Sequence, residues 1–158
     1  MFFLSRLSLG DIFLDIPPSD FKSVMFHMFR NSRYSKKKEA FEAVIAREDL
    51  GSTTLGHGVA LPHCRLKGFS GFYVKFALFR DRPGYVAPNG QEARFVFLVV
   101  GPEEEREDYL HYLSHIVKVM GIPRVRDELL SAKNKKEIRV VLRRYGKEEL
   151  EKRAPAWR

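Results

Sequence analysis

The run Ala93–Val100 is apolar at every position but Arg94, and it is rich in β-forming side chains. A strand sends successive side chains to opposite faces. Apolar residues at nearly every position therefore require cover on both faces, as in the middle of a helix-flanked sheet. Phe72–Arg80 has a different pattern. Phe72, Val74, Phe76 and Leu78 alternate, which predicts a second strand with one strongly apolar face. Between the two runs, Pro83, Gly84, Pro88 and Asn89-Gly90 are turn residues, so residues 81–90 are read as a turn.

Helical periodicity surrounds these strands. Pro17-Pro18 ends an N-terminal apolar arm, and Ser19 or Asp20 is placed to cap a helix. Phe21, Val24, Met25, Met28 and Phe29 form its apolar stripe, and residues 31–33 break it. Ser35 is read as the cap of a second helix, with Phe41, Val44 and Ile45 turned inward and Gly51 just past its end. A third helix is expected from Glu103 to Met120, acidic at its start and apolar along Leu110, Leu113, Val117 and Met120. Pro123 opens a short helix to Leu130, and Asn134-Lys-Lys-Glu137 reads as a capping box for another. Ile138, Val141 and Leu142 face inward there, and a charged tail covers residues 146–158. The expected architecture is one α/β domain over residues 1–158, a sandwich with a central mixed β-sheet flanked by helices.

Composition narrows the classes. The chain has 158 residues, enough for one compact core. It has no apolar run near the roughly 18 residues needed to span a bilayer, so membrane insertion is not expected. The apolar start lacks a basic n-region and a small-residue cleavage site, and is read as a packed arm. A lone cysteine, Cys64, excludes an intrachain disulfide framework and fits the cytoplasm. The net charge of +8 raises nucleic-acid binding, but no nucleic-acid reading motif accompanies it. A basic face suits an acidic protein partner equally well.

Chemistry concentrates in Gly51–Arg65. This segment holds three glycines, three hydroxyl residues (Ser52, Thr53, Thr54) and two histidines, His57 and His63. Glycines admit close backbone approach, here at Gly58, and hydroxyls with free N–H groups can hold an anion. Val59-Ala60-Leu61 reads as a short strand that Pro62 stops from pairing further, leaving His63 at a strand end. Histidine can accept a proton or a phosphoryl group near neutral pH. On spacing alone His63 is either this reactive group or a structural histidine. Arg47 is either a phosphoryl partner or a surface arginine paired with Glu42 or Glu48. Ser52 and Thr53 either bind an anion or form the turn after a helix.

Other chemistries lack their motifs. There is no G-x-x-x-x-G-K-[ST] phosphate loop, no G-x-S-x-G elbow and no carboxylate pair in the glycine segment. His111 and His115 stand four apart, but no third ligand accompanies them, so no metal is expected.

The segment Arg47-Glu-Asp-Leu-Gly-Ser-Thr-Thr-Leu-Gly-His-Gly-Val-Ala-Leu-Pro-His63 resembles the signature of enzyme IIA of the fructose/mannitol class. These are phosphocarrier domains of the bacterial phosphoenolpyruvate:sugar phosphotransferase system. Their pattern is R-E-x-x-G-S-T followed by G-x-G-[IV]-A-[IL]-P-H. The likeness runs from Leu7 to Arg143, and the chain looks most like the stand-alone, nitrogen-regulatory form. The resemblance implies that His63 is phosphorylated and that Arg47 is its active-site arginine, with Ser52, Thr53 and Gly58 in support. It implies a histidine-containing phosphocarrier protein as donor, regulatory target proteins or a sugar permease as further partners, and no cofactor. Tyr109 stands where the family often has a second histidine, and its phenol is placed to donate to a phosphoryl oxygen.

Overall fold

A computed structural model describes residues 3–30 and 36–153. Two 3₁₀ turns, Phe3–Arg6 and Leu9–Asp11, lead into β1 (Ile12–Phe13). Then come α1 (Phe21–Phe29), α2 (Lys37–Asp49), β2 (Thr54–Gly56), β3 (Val59–Ala60), β4 (His63–Leu66) and β5 (Tyr73–Leu78). A small hairpin, β6 (Tyr85–Val86) and β7 (Glu92–Ala93), precedes β8 (Phe95–Pro102). The chain continues with α3 (Arg106–Met120), α4 (Pro123–Ser131) and α5 (Lys135–Arg153).

The main sheet is mixed, in the order β1-β5-β8-β3-β2, with β4 also paired to β8. β5 runs antiparallel to β8, while β3 and β4 run parallel to it. Every residue of β8 is buried. Phe95, Phe97 and Val99 join the core beneath α3, α4 and α5, while Val96, Leu98 and Val100 join the core beneath α1 and α2. This is the two-faced burial that its apolar run requires. The sandwich expected from the sequence is present.

Several expected details shift. Residues 81–90 are not only turn, because β6 pairs there with β7. Ala93, expected at the start of the central strand, lies in β7, and β8 begins at Phe95. On the second face of β5, Lys75 is buried with its amine over the Phe13 and Tyr73 rings. Desolvation by that burial lowers its pKa to about 8.

Helix caps follow local chemistry. Asp20 Oδ1 accepts the Ser23 N–H at 2.7 Å and caps α1. Asn134 Oδ1 caps α5 by accepting the Glu137 N–H at 2.9 Å. The Glu137 carboxylate reaches the Lys133 N–H at 2.6 Å, one residue before the position a capping box uses. The proposed break at 31–33, the Ser35 cap and the tail beyond 153 lie outside the described residues.

Pro62 does not end the pairing. Val59 faces Phe95 in register, and His63 faces Val99, so β3 and β4 follow one register along β8. Proline removes only its own N–H. Its carbonyl still accepts the Val99 N–H at 3.0 Å. His63 therefore opens a strand instead of closing one.

The largest correction concerns α3. It starts at Arg106, because Glu103–Glu105 lie in the turn before it. Its buried face is Tyr109, Tyr112, His115, Ile116, Val119 and Met120. Leu110 is 49% exposed and Val117 43%. Of the expected stripe, Met120 is buried and Leu113 packs against the core, but Leu110 and Val117 face outward and Tyr109 and Tyr112 take the core instead. Ile116→Ala should lower the unfolding free energy in urea by about 2–5 kcal/mol. Leu110→Ala should cost no more than about 0.5 kcal/mol. Equal costs, or the reverse order, would contradict this orientation of α3.

Candidate functional site

His63 stands at the start of β4, in an open cleft of about 610 Å³ between α2 and α3. Ala43, Ala46, Arg47 and Leu50 form one wall, and Arg106, Tyr109, Leu110 and Leu113 form the other. The floor carries Cys64 and Arg65.

The imidazole is held by one short bond. His63 Nδ1 lies 2.7 Å from the Leu61 carbonyl oxygen. A carbonyl can only accept, so Nδ1 carries the proton and donates it. Nε2 is left with a free lone pair. Partial burial lowers the His63 pKa from 6.5. The Leu61 bond opposes that shift, the Arg47 charge adds to it, and Glu48 opposes it. The neutral ring is therefore the resting form at pH 7.

Arg47 projects from the last turn of α2. Its Nη1 donates to the Gly51 carbonyl at 3.0 Å, which ties the guanidinium to the loop that follows. Neither Glu42 nor Glu48 forms an ion pair with it among the described contacts. Arg65 and Arg106 bring two more guanidinium groups to the cleft, and Arg65 lies over the Tyr109 ring at 5.6 Å.

Tyr109 is 4% exposed, with its ring centroid 6.1 Å from that of His63. Its hydroxyl is buried and has no hydrogen-bond partner among the described residues. Desolvation holds the phenol protonated, with its pKa raised. Gly101 makes room for this ring, since a Cβ there would lie 2.8 Å from Tyr109 Cδ2. Cys64 is an inert neighbour, because burial pushes its thiol pKa up to about 12.

Three of the expected residues lie outside the cleft lining. Ser52 Oγ and Thr54 Oγ1 share a hydrogen bond of 2.7 Å. The Thr53 hydroxyl donates to Glu48 Oε2 at 2.6 Å. Both hydroxyls are thus engaged in shaping the loop. Gly58 does not sit beneath His63. With φ of 78°, it forms the turn before β3, and its carbonyl accepts the N–H groups of Arg94 and Phe95. A Cβ there would meet Arg94 Cβ at 3.4 Å. His57 occupies the same turn, with φ of 54°. His111 is exposed while His115 is buried, so their spacing builds no shared site. Among the described residues no three His, Cys, Asp or Glu side chains gather as metal ligands.

Sequence reasoning missed Glu48, Arg65, Gly101 and Arg106. Arg65 carried a usable signal, since two residues beyond His63 on one strand is the same face. Gly101 and Arg106 carried none, because their roles depend on how α3 packs.

The architecture is that of enzyme IIA proteins. The structure superimposes on the nitrogen regulatory protein IIA-Ntr of Neisseria meningitidis with a TM-score of 0.79 and 30% identity, covering 90% of this chain and 99% of that one. The family described as phosphoenolpyruvate-dependent sugar phosphotransferase system, EIIA 2, matches residues 20–145, and the chain belongs to it. A nitrogen regulatory protein of Pseudomonas aeruginosa is 39% identical over 93 residues, which span 58% of this chain and 60% of that protein. A fructose-specific EIIA component of Haloferax volcanii is 28% identical over 110 residues, 70% of this chain and 71% of that protein.

The lowered His63 pKa has a consequence for stability. Below pH 6.5 the unfolded chain binds a proton that the folded site resists. Stability is then lost as pH falls from 6.5 toward the lower folded value, and this penalty is absent above 6.5. Urea denaturation at a series of pH values should show this acid-side slope reduced in His63→Gln. The same slope in both proteins would contradict the site geometry.

Proposed function

We propose that this chain is a phosphoryl carrier that accepts its phosphoryl group on Nε2 of His63 and signals through its phosphorylation state. The observation that carries this reading is the 2.7 Å bond from Nδ1 to Leu61, which leaves Nε2 as the free nucleophile in an arginine-lined cleft. The donor is a phosphohistidine of a histidine-containing phosphocarrier protein. The Nε2 lone pair forms the new N–P bond while the donor's N–P bond breaks, and the donor nitrogen keeps that electron pair. Catalysis is chiefly positioning and charge neutralisation. Arg47 is the proposed charge partner, and the unpartnered Tyr109 hydroxyl is the proposed donor to a phosphoryl oxygen. Ser52, Thr53 and Gly58 act as supports of the loop, not as phosphate ligands. The step needs neither cofactor nor metal.

The surroundings of the cleft suit a protein partner. Leu50 is 85% exposed at its edge, and Leu110 and Val117 continue an open apolar strip along α3. Apolar surface ringed by arginines fits a transient carrier-protein contact. Among the described residues no helix is long and apolar enough to cross a membrane. Relatives named as nitrogen regulatory proteins favour regulation of target proteins. The Haloferax volcanii relative supports a second reading, in which a sugar permease receives the phosphoryl group.

Incubation with phosphoenolpyruvate, enzyme I and the donor carrier should place acid-labile phosphate on the protein. His63→Ala should abolish the label, and Arg47→Ala should slow it at least about tenfold. Tyr109→Phe, which removes only the hydroxyl, should slow it about fivefold, the worth of one net hydrogen bond. Undiminished labelling of His63→Ala would overturn the reading.

A further inference from the structure

The bond that fixes His63 depends on a carbonyl that strand pairing would otherwise use. β2 and β3 are antiparallel, with Thr54 opposite Ala60. One step further, Thr53 stands opposite Leu61, and the Leu61 N–H donates to the Thr53 carbonyl at 3.0 Å. In an antiparallel ladder such a pair exchanges both bonds. The Thr53 N–H would then donate to the Leu61 carbonyl, the same oxygen that holds the imidazole.

That return bond is replaced. The Thr53 N–H points to Glu48 Oε1 and Oε2, both at 3.2 Å. The Thr53 hydroxyl donates to Glu48 Oε2 at 2.6 Å. Glu48 thus takes both donors of Thr53, and the ladder is left half closed at this step. The Leu61 oxygen then receives His63 Nδ1–H at 2.7 Å. Pro62 follows, and its carbonyl is engaged by Val99 on the other side of the strand.

We infer that Glu48 is a positioning residue for His63: by drawing the Thr53 N–H away from Leu61, it reserves that carbonyl for Nδ1–H and so sets the tautomer. Glu48 touches no reacting atom in this arrangement. It acts through Thr53 and Leu61, and its charge is near enough to favour protonation of His63. Without the carboxylate, the Thr53 N–H is released to complete the ladder, and a second donor on the Leu61 oxygen weakens its bond to the ring. Only the kinetic consequence rests on the phosphoryl-carrier reading, because the tautomer is a property of the free protein.

Nitrogen-15 spectra of the His63 ring, recorded where the ring is neutral, report which nitrogen holds the proton. Wild type should show Nδ1–H with a bare Nε2. In Glu48→Ala the ratio of the Nδ1–H to the Nε2–H form should fall at least about fivefold, the equivalent of one net hydrogen bond. Glu48→Gln keeps the size and one acceptor oxygen, and should fall less. It carries the test if the alanine variant does not fold. Thr53→Val removes the hydroxyl but keeps the N–H, and should leave Nδ1–H dominant. The wild-type ratio in a folded Glu48 variant would overturn the inference. Labelling by phosphoramidate, which needs no carrier protein, should slow in Glu48→Ala in proportion to the fraction of the Nδ1–H form that remains. Wild-type His63 left unlabelled by phosphoramidate would count against the phosphoryl reading, while the tautomer ratio would still decide the role of Glu48.

Discussion

The Nδ1–H bond from His63 to the Leu61 carbonyl is the interaction on which the site depends. It turns an imidazole with two exchangeable tautomers into one whose free lone pair is on Nε2. Much of the fold serves to hold that carbonyl still. β3 and β4 follow one register along β8, the most deeply buried strand, so the backbone around Pro62 has little freedom. On the other edge, the loop after α2 joins at Thr53 and is itself fixed by Glu48 and by Arg47. The hydroxyls of the glycine-rich segment are all engaged, Ser52 with Thr54, Thr54 also with Asn89, and Thr53 with Glu48.

The cleft above the ring is built by two helices from opposite faces of the sheet. α2 belongs to the layer over Val96, Leu98 and Val100, and α3 to the layer over Phe95, Phe97 and Val99. They meet where β8 ends at Gly101-Pro102, and the missing side chain of Gly101 lets the Tyr109 ring descend toward His63. The pocket therefore gathers arginines from α2, β4 and α3 in the cleft that holds His63. The Arg47 charge opposes protonation of the ring, and three guanidinium groups in the cleft favour an anion there.

Much of this was legible in the sequence, for physical reasons that differ by element. The central strand, α1 and α5 were readable because burial there follows simple periods, as in Val24, Met25 and Met28 or Ile138 and Leu142. The motif that holds both His63 and Arg47 is matched by their common place in one cleft. The stripe of α3 is only half as expected: Met120 is buried and Leu113 packs on the core, but Leu110 and Val117 are exposed, and Tyr109 and Tyr112 are buried in their place. Periodicity finds an apolar face but not what covers it. Pro62 does not stop the pairing, because losing its N–H leaves its own carbonyl free to accept from Val99. The engagement of Thr53 by Glu48 was invisible, since it depends on how the loop folds back on the end of α2.

The most direct test is to ask which ring nitrogen carries phosphate. Wild-type protein would be phosphorylated, and phosphorus-31 and nitrogen-15 spectra of the product recorded at alkaline pH. Phosphate on Nε2 of His63, with Nδ1 still protonated, is expected from the Leu61 bond. Phosphate on Nδ1, or on a residue other than His63, would contradict the proposed chemistry.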